Sequence, residues 1–217
     1  MLAVDSLSHS YGREQILNGV YLTVRPGEVV GVVGRNGCGK TTMLQALLGA
    51  LRPDHMHLTI DGEIVRRAYR CGALAYLPQD PYLPRRIRVR TAIALALPTT
   101  EQRNRVREHP RIRPLLKRRI RDLSGGEQRF LEVLLACWFP STCSLLDEPF
   151  TEIEPLHRRP VGALIRETAG SEQRGFIVTD HAYRDVLAVA DRVLVLAGGV
   201  IRPAEGASDL RRWGYTP

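Results

Sequence analysis

The chain has 217 residues, of which 44% are hydrophobic and 25% are charged, and its formal net charge at pH 7 is +8. This composition is typical of a globular protein with one sizeable core, and it excludes a disordered chain, a collagen and a coiled-coil rod. No apolar run approaches the roughly 18 residues that a membrane span needs. The N-terminal stretch MLAVDSLSHSYG lacks the basic and apolar regions of a signal peptide, so we expect a cytoplasmic protein.

The positive charge is concentrated in one segment, from Arg85 to Arg121, which we call the basic segment. It holds thirteen Lys or Arg residues and two acidic residues, so its net charge is +11 and that of the rest of the chain is −3. Such a segment can be a solvated helical face, or it can contact an acidic protein surface, anionic lipid headgroups or nucleic acid. It contains no aromatic residue, so the stacking platform that single-stranded nucleic acid needs is missing there and nucleic acid is an unfavoured partner.

The N-terminal part of the chain predicts strands, then a loop and a helix. Short strands with alternating apolar residues are expected over the first 30 residues, and the continuous apolar run Val29–Val33 predicts a strand buried on both faces. A Gly-rich loop follows, and then a helix from about Lys40 to Leu51. Residues 56–77 predict strands and turns, with Asp61-Gly62 as the turn of a hairpin.

The rest of the chain predicts helices that alternate with strands. Residues 80–122 are rich in Pro and Arg and predict irregular and helical structure. The elements expected after this region are a helix from about Gly126 to Trp138, a strand at Cys143–Leu146, a helix near 156–168, a strand at Phe176–Thr179, a helix at Tyr183–Ala190 and a strand at Arg192–Leu196. This alternation predicts an α/β fold with a mainly parallel sheet. The four cysteines lack metal-binding spacing and are expected to be free thiols.

Residues 34–41 read GRNGCGKT and match the phosphate-loop pattern GxxxxGK[ST]. Glycines allow backbone N–H groups to converge on phosphate oxygens, and the helix that follows directs its N-terminal amides at the same oxygens. Lys40 would reach the β- and γ-phosphates, and the hydroxyl of Thr41 would ligate Mg²⁺. The loop lies between a buried strand and a helix, which is the context that the pattern requires. The residues predicted to contact nucleotide here are Gly34, Asn36, Gly37, Cys38, Gly39, Lys40, Thr41 and Thr42.

The sequence LLDEP at 145–149 predicts an apolar strand that ends in two carboxylates, Asp147 and Glu148. Because successive strand residues point to opposite sides, the two carboxylates can have different roles. We interpret Asp147 as a ligand of Mg²⁺ and Glu148 as the group that activates a water to attack the γ-phosphate. Alone, such a pair is more typical of a surface turn, but with the phosphate loop it predicts a site at a strand's carboxyl end, where α/β sheets bind ligands.

The sequence LSGGE at 123–127 begins the helix that leads to Asp147. Ser124 and Glu127 have the spacing of a capping box, which is a purely structural interpretation. Two consecutive glycines exceed what capping requires. They indicate exposed backbone at the helix N-terminus, suited to a second anion contact.

Taken in order, these motifs resemble those of the ATP-binding subunit of ABC transporters. The resemblance covers nearly the whole chain and is carried by Tyr11, the loop 34–41, Gln79, LSGGE at 123–127, LLDEP at 145–149 and His181. It implies an α/β fold: a P-loop ABC ATPase core with a mainly parallel sheet, an N-terminal antiparallel β subdomain and a short helical subdomain. We therefore expect a single ABC ATPase domain over residues 1–217. Residues 1–79 and 139–217 would form the core with the β subdomain, and 80–138 would form the helical subdomain.

The resemblance also implies roles for the matching residues. Tyr11 would stack on adenine, Gln79 would contact Mg²⁺ or the attacking water, and His181 would bind the γ-phosphate. Ser124, Gly125 and Gly126 would bind the γ-phosphate held by a second copy of the chain, so that hydrolysis needs a head-to-tail dimer with two ATP molecules between the subunits. The implied catalytic residues are Glu148, His181, Gln79 and Lys40, and the implied metal ligands are Thr41, Gln79 and Asp147.

The function implied by the resemblance is ATP hydrolysis that energises transport through separate membrane-spanning chains. ATP and Mg²⁺ would be the cofactors. The partners would be a second copy or a homologous ATPase subunit, together with integral membrane subunits, on the cytoplasmic face of the inner or plasma membrane. One alternative is a soluble ABC ATPase that acts on ribosomes or nucleic acid, although the sequence has one phosphate loop, no metal cluster and no heptads. Another is a nucleotide-binding regulator with weak turnover.

Some positions depart from the family's pattern. Glu154 stands where the family usually has Asp, and Pro160 falls in a stretch that the family makes helical, so we expect that helix to be delayed or kinked. Only 43 residues separate Gln79 from Leu123, which predicts a shortened helical subdomain. The sequences LDEPF and TDH are similar to the subgroup that contains branched-chain amino-acid importers and lipopolysaccharide exporters, which leaves the direction of transport open.

Overall fold

The computed structural model describes residues 1–181 and 183–204 of the chain. The strands in this part are β1 Leu2–Tyr11, β2 Glu14–Val24, β3 Val29–Val33, β4 His55–Ile60, β5 Glu63–Ile64, β6 Leu74–Leu77, β7 Cys143–Asp147, β8 Gly175–Asp180, β9 Arg192–Ala197 and β10 Val200–Ala204. Its α-helices are α1 Lys40–Leu48, α2 Ala68–Cys71, α3 Val89–Ala96, α4 Thr100–Glu108, α5 Gly125–Trp138, α6 Pro155–Glu172 and α7 Tyr183–Val189. The end of the predicted domain, 205–217, lies outside the described residues.

The smaller sheet is antiparallel, with the strand order β2-β1-β4-β5. Its β4–β5 hairpin turns at Asp61 and Gly62, which both have positive φ values of 53° and 84°. A two-residue hairpin turn of the favoured type requires positive φ at both central positions. The predicted N-terminal antiparallel subdomain and its hairpin are therefore confirmed.

The larger sheet has the strand order β10-β9-β3-β8-β7-β6, and all its neighbouring strands are parallel except β10 and β9. Every residue of β3, β7 and β8 is buried, as expected for strands that are covered on both faces. The predicted mainly parallel core is confirmed. Because the strands are parallel, β3, β8, β7 and β6 all deliver the residues that follow them to the same edge of the sheet.

The helical region packs on the same core as the larger sheet. Buried apolar residues of α3 and α4 and of the turns after them join those of α5 and α6 in one cluster. Two short 3₁₀ turns, Arg113–Leu115 and Ile120–Asp122, connect α4 to α5. This part of the chain is short, as predicted, while the domain boundaries at 79/80 and 138/139 stay predictions.

Several arginines of the basic segment make contacts within the chain. Arg105 bonds to Glu101 at 2.9 Å and to Glu172 at 3.0 Å, and its guanidinium lies 4.7 Å from the ring centroid of Trp138. Arg103 donates to the carbonyl oxygen of Leu97 at 2.7 Å. Part of the positive charge therefore stabilises the packing of α4, while Arg85, Arg86, Arg88, Arg90, Arg113, Lys117 and Arg119 are exposed.

Two helix boundaries differ from expectation. The expected delay of the sixth helix at Pro160 is wrong, because α6 already begins at Pro155, and a proline is well suited to the first turn of a helix. Pro160 lies inside α6, and the kink expected there stays a prediction. Helix α1 ends at Leu48 rather than near Leu51, because Gly49 adopts φ 84° and its N–H donates to the carbonyls of Gln45 and Ala46.

All four cysteines are free thiols, as predicted. In residues 1–181 and 183–204, no helix combines the length and hydropathy that crossing a membrane requires.

Candidate functional site

The phosphate loop connects β3 to α1 at the edge of the larger sheet. A Cβ at Gly34 would lie 2.5 Å from Sγ of Cys38 and 2.6 Å from the carbonyl oxygen of Leu196, so the fold leaves no room for a side chain there. Gly39 precedes α1 with φ 106°, a conformation that favours glycine. These two glycines therefore allow the backbone to form a tight loop directly before the N-terminus of α1.

Lys40, the first residue of α1, points back over this loop. Its side chain is 6% exposed, and its Nζ donates to the carbonyl oxygens of Gly34 at 2.8 Å and Arg35 at 3.2 Å. Cys38, beside it in the loop, is half-buried, and burial raises the pKa of its thiol. The loop therefore holds one buried ammonium and a neutral thiol next to the N-terminal amides of α1, which is an environment that favours an anion.

Asp147 ends β7 and is fully buried. The Thr179 hydroxyl donates to its Oδ1 at 2.6 Å, and the Tyr76 hydroxyl lies 3.5 Å from its Oδ2. Burial, and then the charge of Asp147, raise the pKa of the Tyr76 hydroxyl, so it stays a proton donor. Both carboxylate oxygens are thus oriented by neighbouring strands, β8 and β6.

Glu148 follows Asp147 with a φ of 51°, a left-handed conformation that costs free energy for a residue with a side chain. Its N–H donates to the carbonyl oxygen of Thr179 at 2.8 Å, which continues the pairing of β7 with β8. Glu148 thus leaves the extended conformation of β7, which ends at Asp147. The different roles of the two carboxylates stay a prediction.

The structure brings three of the predicted catalytic side chains together. Oε2 of Glu148 accepts from Nε2 of Gln79 at 3.3 Å and from Oγ1 of Thr151 at 3.1 Å, and it lies 3.5 Å from Nδ1 of His181. Gln79 comes from the end of β6 and His181 from the end of β8. Nδ1 of His181 also lies 3.4 Å from Oδ1 of Asp180. One carboxylate oxygen is therefore the meeting point of three chain segments.

The predicted second phosphate contact lies in a different cavity. Ser124, Gly125 and Gly126 line a space of about 760 Å³ together with Arg111, Pro114, Leu115, Glu127, Phe130 and residues 152–154. No residue of the phosphate loop is among those lining residues. The capping box is present as well: Glu127 N–H donates to Oγ of Ser124 at 3.2 Å, and Ser124 N–H donates to the Glu127 carboxylate at 2.8 Å.

Tyr11 lies at the end of β1, and its side chain is 52% exposed. Its ring meets that of His9 edge to face, with centroids 4.7 Å apart. One face of the tyrosine is therefore available to a planar group from solvent.

A family model described as "ABC transporter" matches residues 17–151. The chain belongs to the ABC transporter family. Among curated relatives, a "Probable ABC transporter ATP-binding protein" of Azorhizobium caulinodans is 35% identical, over 92% of this chain and 75% of the relative. The lipopolysaccharide export system ATP-binding protein LptB of Haemophilus influenzae is 32% identical, over 93% of this chain and 88% of the relative.

Solved ATP-binding cassettes share the fold. One described as an ATP-binding subunit of an ABC transporter superposes with a TM-score of 0.85 at 22% identity, covering 99% of this chain and 94% of the other. A dimeric bacterial ABC transporter cassette superposes with a TM-score of 0.81 at 18% identity, covering 95% of this chain and 100% of the other. The predictions of an ABC ATPase cassette fold and of an ATP-hydrolysing subunit of this family are confirmed.

The cassette also contains site residues that the motifs did not reveal. Thr179 and Tyr76 orient Asp147, and Thr151 contacts Glu148. Arg129 and Glu132 are almost completely buried in α5 and face the same region. The last two could have been found from the sequence, because they are charged residues in the otherwise apolar stripe of a helix and so need partners.

Asp147 has the chemistry of a magnesium ligand. Within the described residues, no group of three or more His, Cys, Asp or Glu could hold a metal ion. Magnesium in nucleotide sites is bound by one or two protein oxygens together with phosphate oxygens. Asp147 supplies one buried, oriented carboxylate of that kind.

Proposed function

We propose that this chain is the ATP-hydrolysing subunit that energises transport across a membrane through separate membrane-spanning chains. The observation that carries this proposal is the convergence of Gln79, Thr151 and His181 on one carboxylate oxygen of Glu148. The phosphate loop follows β3, whose last residue, Val33, pairs with Asp180 next to His181. Groups suited to bind a triphosphate and to activate water therefore leave neighbouring strands.

In this proposal the residues of the chain divide the work of phosphoryl transfer. Lys40 and the amides of the phosphate loop neutralise and hold the phosphates, and His181 binds the γ-phosphate. Thr41, Gln79 and Asp147 would hold Mg²⁺, which when bound supplies positive charge to the phosphate oxygens. Glu148 accepts the proton of the attacking water, and its hydrogen bonds to Gln79 and Thr151 keep its carboxylate in one orientation.

Tyr11 would bind the adenine ring. An exposed aromatic ring at the end of β1 can stack on a planar base without reading its edges. This role predicts a contribution to affinity and none to the chemical step.

We further propose that two chains bind two ATP molecules in a head-to-tail dimer. Ser124, Gly125 and Gly126 lie at the N-terminus of α5, where a γ-phosphate would be favoured, yet the cavity that they line has no phosphate-loop residue. A second copy, or a homologous subunit, would bring its phosphate loop and bound ATP to this cavity and so complete the site. One of the structures that share this fold is described as a dimeric cassette.

The membrane partners are proposed from the family and from the curated relatives. The relatives are described as ATP-binding proteins of an ABC transporter and of the lipopolysaccharide export system. These descriptions favour a transport role and a place on the cytoplasmic face of a membrane over the alternative of action on ribosomes or nucleic acid. Exposed arginines of the basic segment are candidates for the contact with a membrane subunit.

The test of ATP hydrolysis is the Glu148→Gln variant of the purified chain. Removal of a general base lowers turnover by about 10² to 10⁴-fold, whereas nucleotide affinity should be nearly unchanged because the amide keeps the shape of the side chain. The matched control is Glu63→Gln, at an exposed position in the β4–β5 hairpin, which should keep wild-type turnover. Equal steady-state turnover in the two variants would contradict the assignment of Glu148.

The test of the transport role is affinity purification of tagged Glu148→Gln protein, with ATP, from detergent-solubilised cells that express the chain natively. A stoichiometric protein with several membrane spans is the expected companion. Co-purification of ribosomes or nucleic acid in its place would overturn the proposal and favour the soluble alternative.

A further inference from the structure

Arg129 is a charged residue in the buried face of α5. Its side chain is only 2% exposed in a helix whose neighbouring residues are mostly apolar and buried. Burial of a guanidinium is unfavourable unless its donors are hydrogen-bonded, so the position of Arg129 needs an explanation. The motifs do not include this residue.

The guanidinium donates to three backbone carbonyls beside the catalytic side chains. Nη1 donates to the oxygen of Pro78 at 2.8 Å. Nη2 donates to the oxygens of Asp147 at 2.6 Å and Glu148 at 2.8 Å. Pro78 immediately precedes Gln79. A single planar group therefore holds both segments that carry Gln79 and Glu148.

These contacts begin where the pairing of β6 with β7 ends. The last pair in this ladder is Leu77 with Leu146. Beyond it the ladder ends, and the backbone of Glu148 turns into its left-handed conformation. Arg129 bridges the ends of β6 and β7 at this point through the carbonyls of Pro78, Asp147 and Glu148.

Glu132, one turn further along α5, completes the arrangement. Its carboxylate is fully buried and lies 3.5 Å from Nη1 of Arg129. Its other oxygen accepts from the N–H of Tyr82 at 3.2 Å and from Nε2 of Gln128 at 2.9 Å. The segment that contains Gln79 is thus attached to α5 on both sides, at Pro78 and at Tyr82.

We propose that Arg129, held by Glu132, is a positioning residue for ATP hydrolysis that sets Gln79 and Glu148 in register with each other. It touches neither nucleotide nor water; it acts through the backbone of the two residues that do. The inference rests on the proposed function, because it assigns Arg129 to the same site. It connects α5, whose first turn is the predicted contact for the partner's ATP, to the chain's own catalytic glutamate.

The primary variant is Arg129→Lys, which keeps the positive charge for Glu132 but cannot reach all three carbonyls at once. Arg174→Lys is the matched control, because Arg174 is also buried, at 5% exposure, and donates to the carbonyl oxygen of Cys137 at the other end of α5. Small misplacement of reacting groups costs up to about 10²-fold in rate. In Arg129→Lys we expect kcat to fall by about tenfold or more, while KM for ATP changes less than about threefold. In Arg174→Lys we expect kcat to stay near the wild-type value.

A double-mutant comparison tests the route of the effect. If Arg129 acts through Gln79 and Glu148, its substitution should cost less in a Gln79→Ala background than in wild type, because one of the two groups that it positions is gone. Rate losses that multiply fully would contradict the proposal. So would a fall in kcat in Arg129→Lys no larger than that in Arg174→Lys.

Hydrogen–deuterium exchange of the nucleotide-free protein supplies a readout that does not depend on activity. Peptides covering residues 76–83 and 146–152 should exchange faster in Arg129→Lys than in wild type, while a peptide over β3 should be unchanged. Unchanged exchange in both segments would overturn the positioning role.

If Arg129→Lys does not fold, Glu132→Gln replaces it, since it removes the charge that holds Arg129 but keeps an acceptor for Tyr82. A wild-type chain without ATPase activity would refute the proposed function alone, and the exchange measurement would still decide on Arg129.

Discussion

At the scale of single residues, the site combines buried, oriented groups with one strained backbone. Asp147 has hydrogen-bonding hydroxyls within 3.5 Å of both carboxylate oxygens, and Lys40 is bonded to loop carbonyls. Glu148 differs, because its φ of 51° is unfavourable for any residue with a Cβ. Strain of this kind persists only where the surrounding structure enforces it, and here it coincides with the proposed general base.

The strain predicts that glycine is more stable than alanine at this position. The free energy of unfolding of Glu148→Gly should be about 1 kcal/mol larger than that of Glu148→Ala, because glycine adopts a left-handed φ without the steric penalty. Urea unfolding of the two variants measures the difference. Glu152, with φ 63°, should show the same order of Gly over Ala. Both variants at 148 should lose ATP turnover by about 10² to 10⁴-fold, as expected for removal of a general base. A Glu148→Ala variant as stable as Glu148→Gly would contradict the strain.

At the scale of the elements, the two helices α4 and α5 begin in the same way but in different surroundings. Each has a capping box, formed by Thr99 and Gln102 in α4 and by Ser124 and Glu127 in α5. The first turn of α5 lines the cavity assigned to the partner's γ-phosphate. Under the proposed function, the N-cap of α4 has a structural role alone, whereas that of α5 has a structural and a binding role.

Thr99→Ala and Ser124→Ala should both lower the free energy of unfolding by about 1 kcal/mol, the usual contribution of an N-cap. Only Ser124→Ala should also lower ATP turnover, by about tenfold or more, because one hydroxyl donor to a charged phosphate is lost. Chemical unfolding and steady-state ATPase assays of both variants check this pair. Equal turnover in the two variants would leave Ser124 with a capping role alone.

The elements also show what could be predicted from the sequence. The phosphate loop and the residues after β6, β7 and β8 could be placed at one edge, because parallel strands share the direction of their carboxyl ends. The three carbonyl contacts of Arg129 could not be predicted, since they join positions 78, 129 and 147–148 through loop conformations that have no periodic signal. The start of α6 lies within one residue of the helix predicted near 156–168, and only the delay expected from Pro160 was wrong, because Pro155 at the first helical position starts the helix.

At the scale of the whole molecule, one chain contains two incomplete halves of the proposed site. The phosphate loop, Glu148 and His181 lie at the edge of the larger sheet, and Ser124–Gly126 line a separate cavity. In a two-fold dimer, the phosphate-loop edge of each subunit would face the Ser124–Gly126 cavity of the other, so the same contact is made twice. Nucleotide would then be part of the interface itself, so dimer formation and ATP binding must be thermodynamically linked.

This linkage predicts the mass of the protein in solution. Glu148→Gln should bind ATP and hydrolyse it only slowly, so with ATP and Mg²⁺ its mass measured by light scattering should be twice the 24.3 kDa of the single chain. Without nucleotide, or with ADP, the same protein should elute as the single chain. Adding Ser124→Ala to Glu148→Gln should raise the ATP concentration needed for dimerisation, because the partner's γ-phosphate loses one donor, whereas adding Thr99→Ala should not. A Glu148→Gln protein that stays at 24.3 kDa with saturating ATP would show that this chain does not complete its own site and needs a homologous subunit for that.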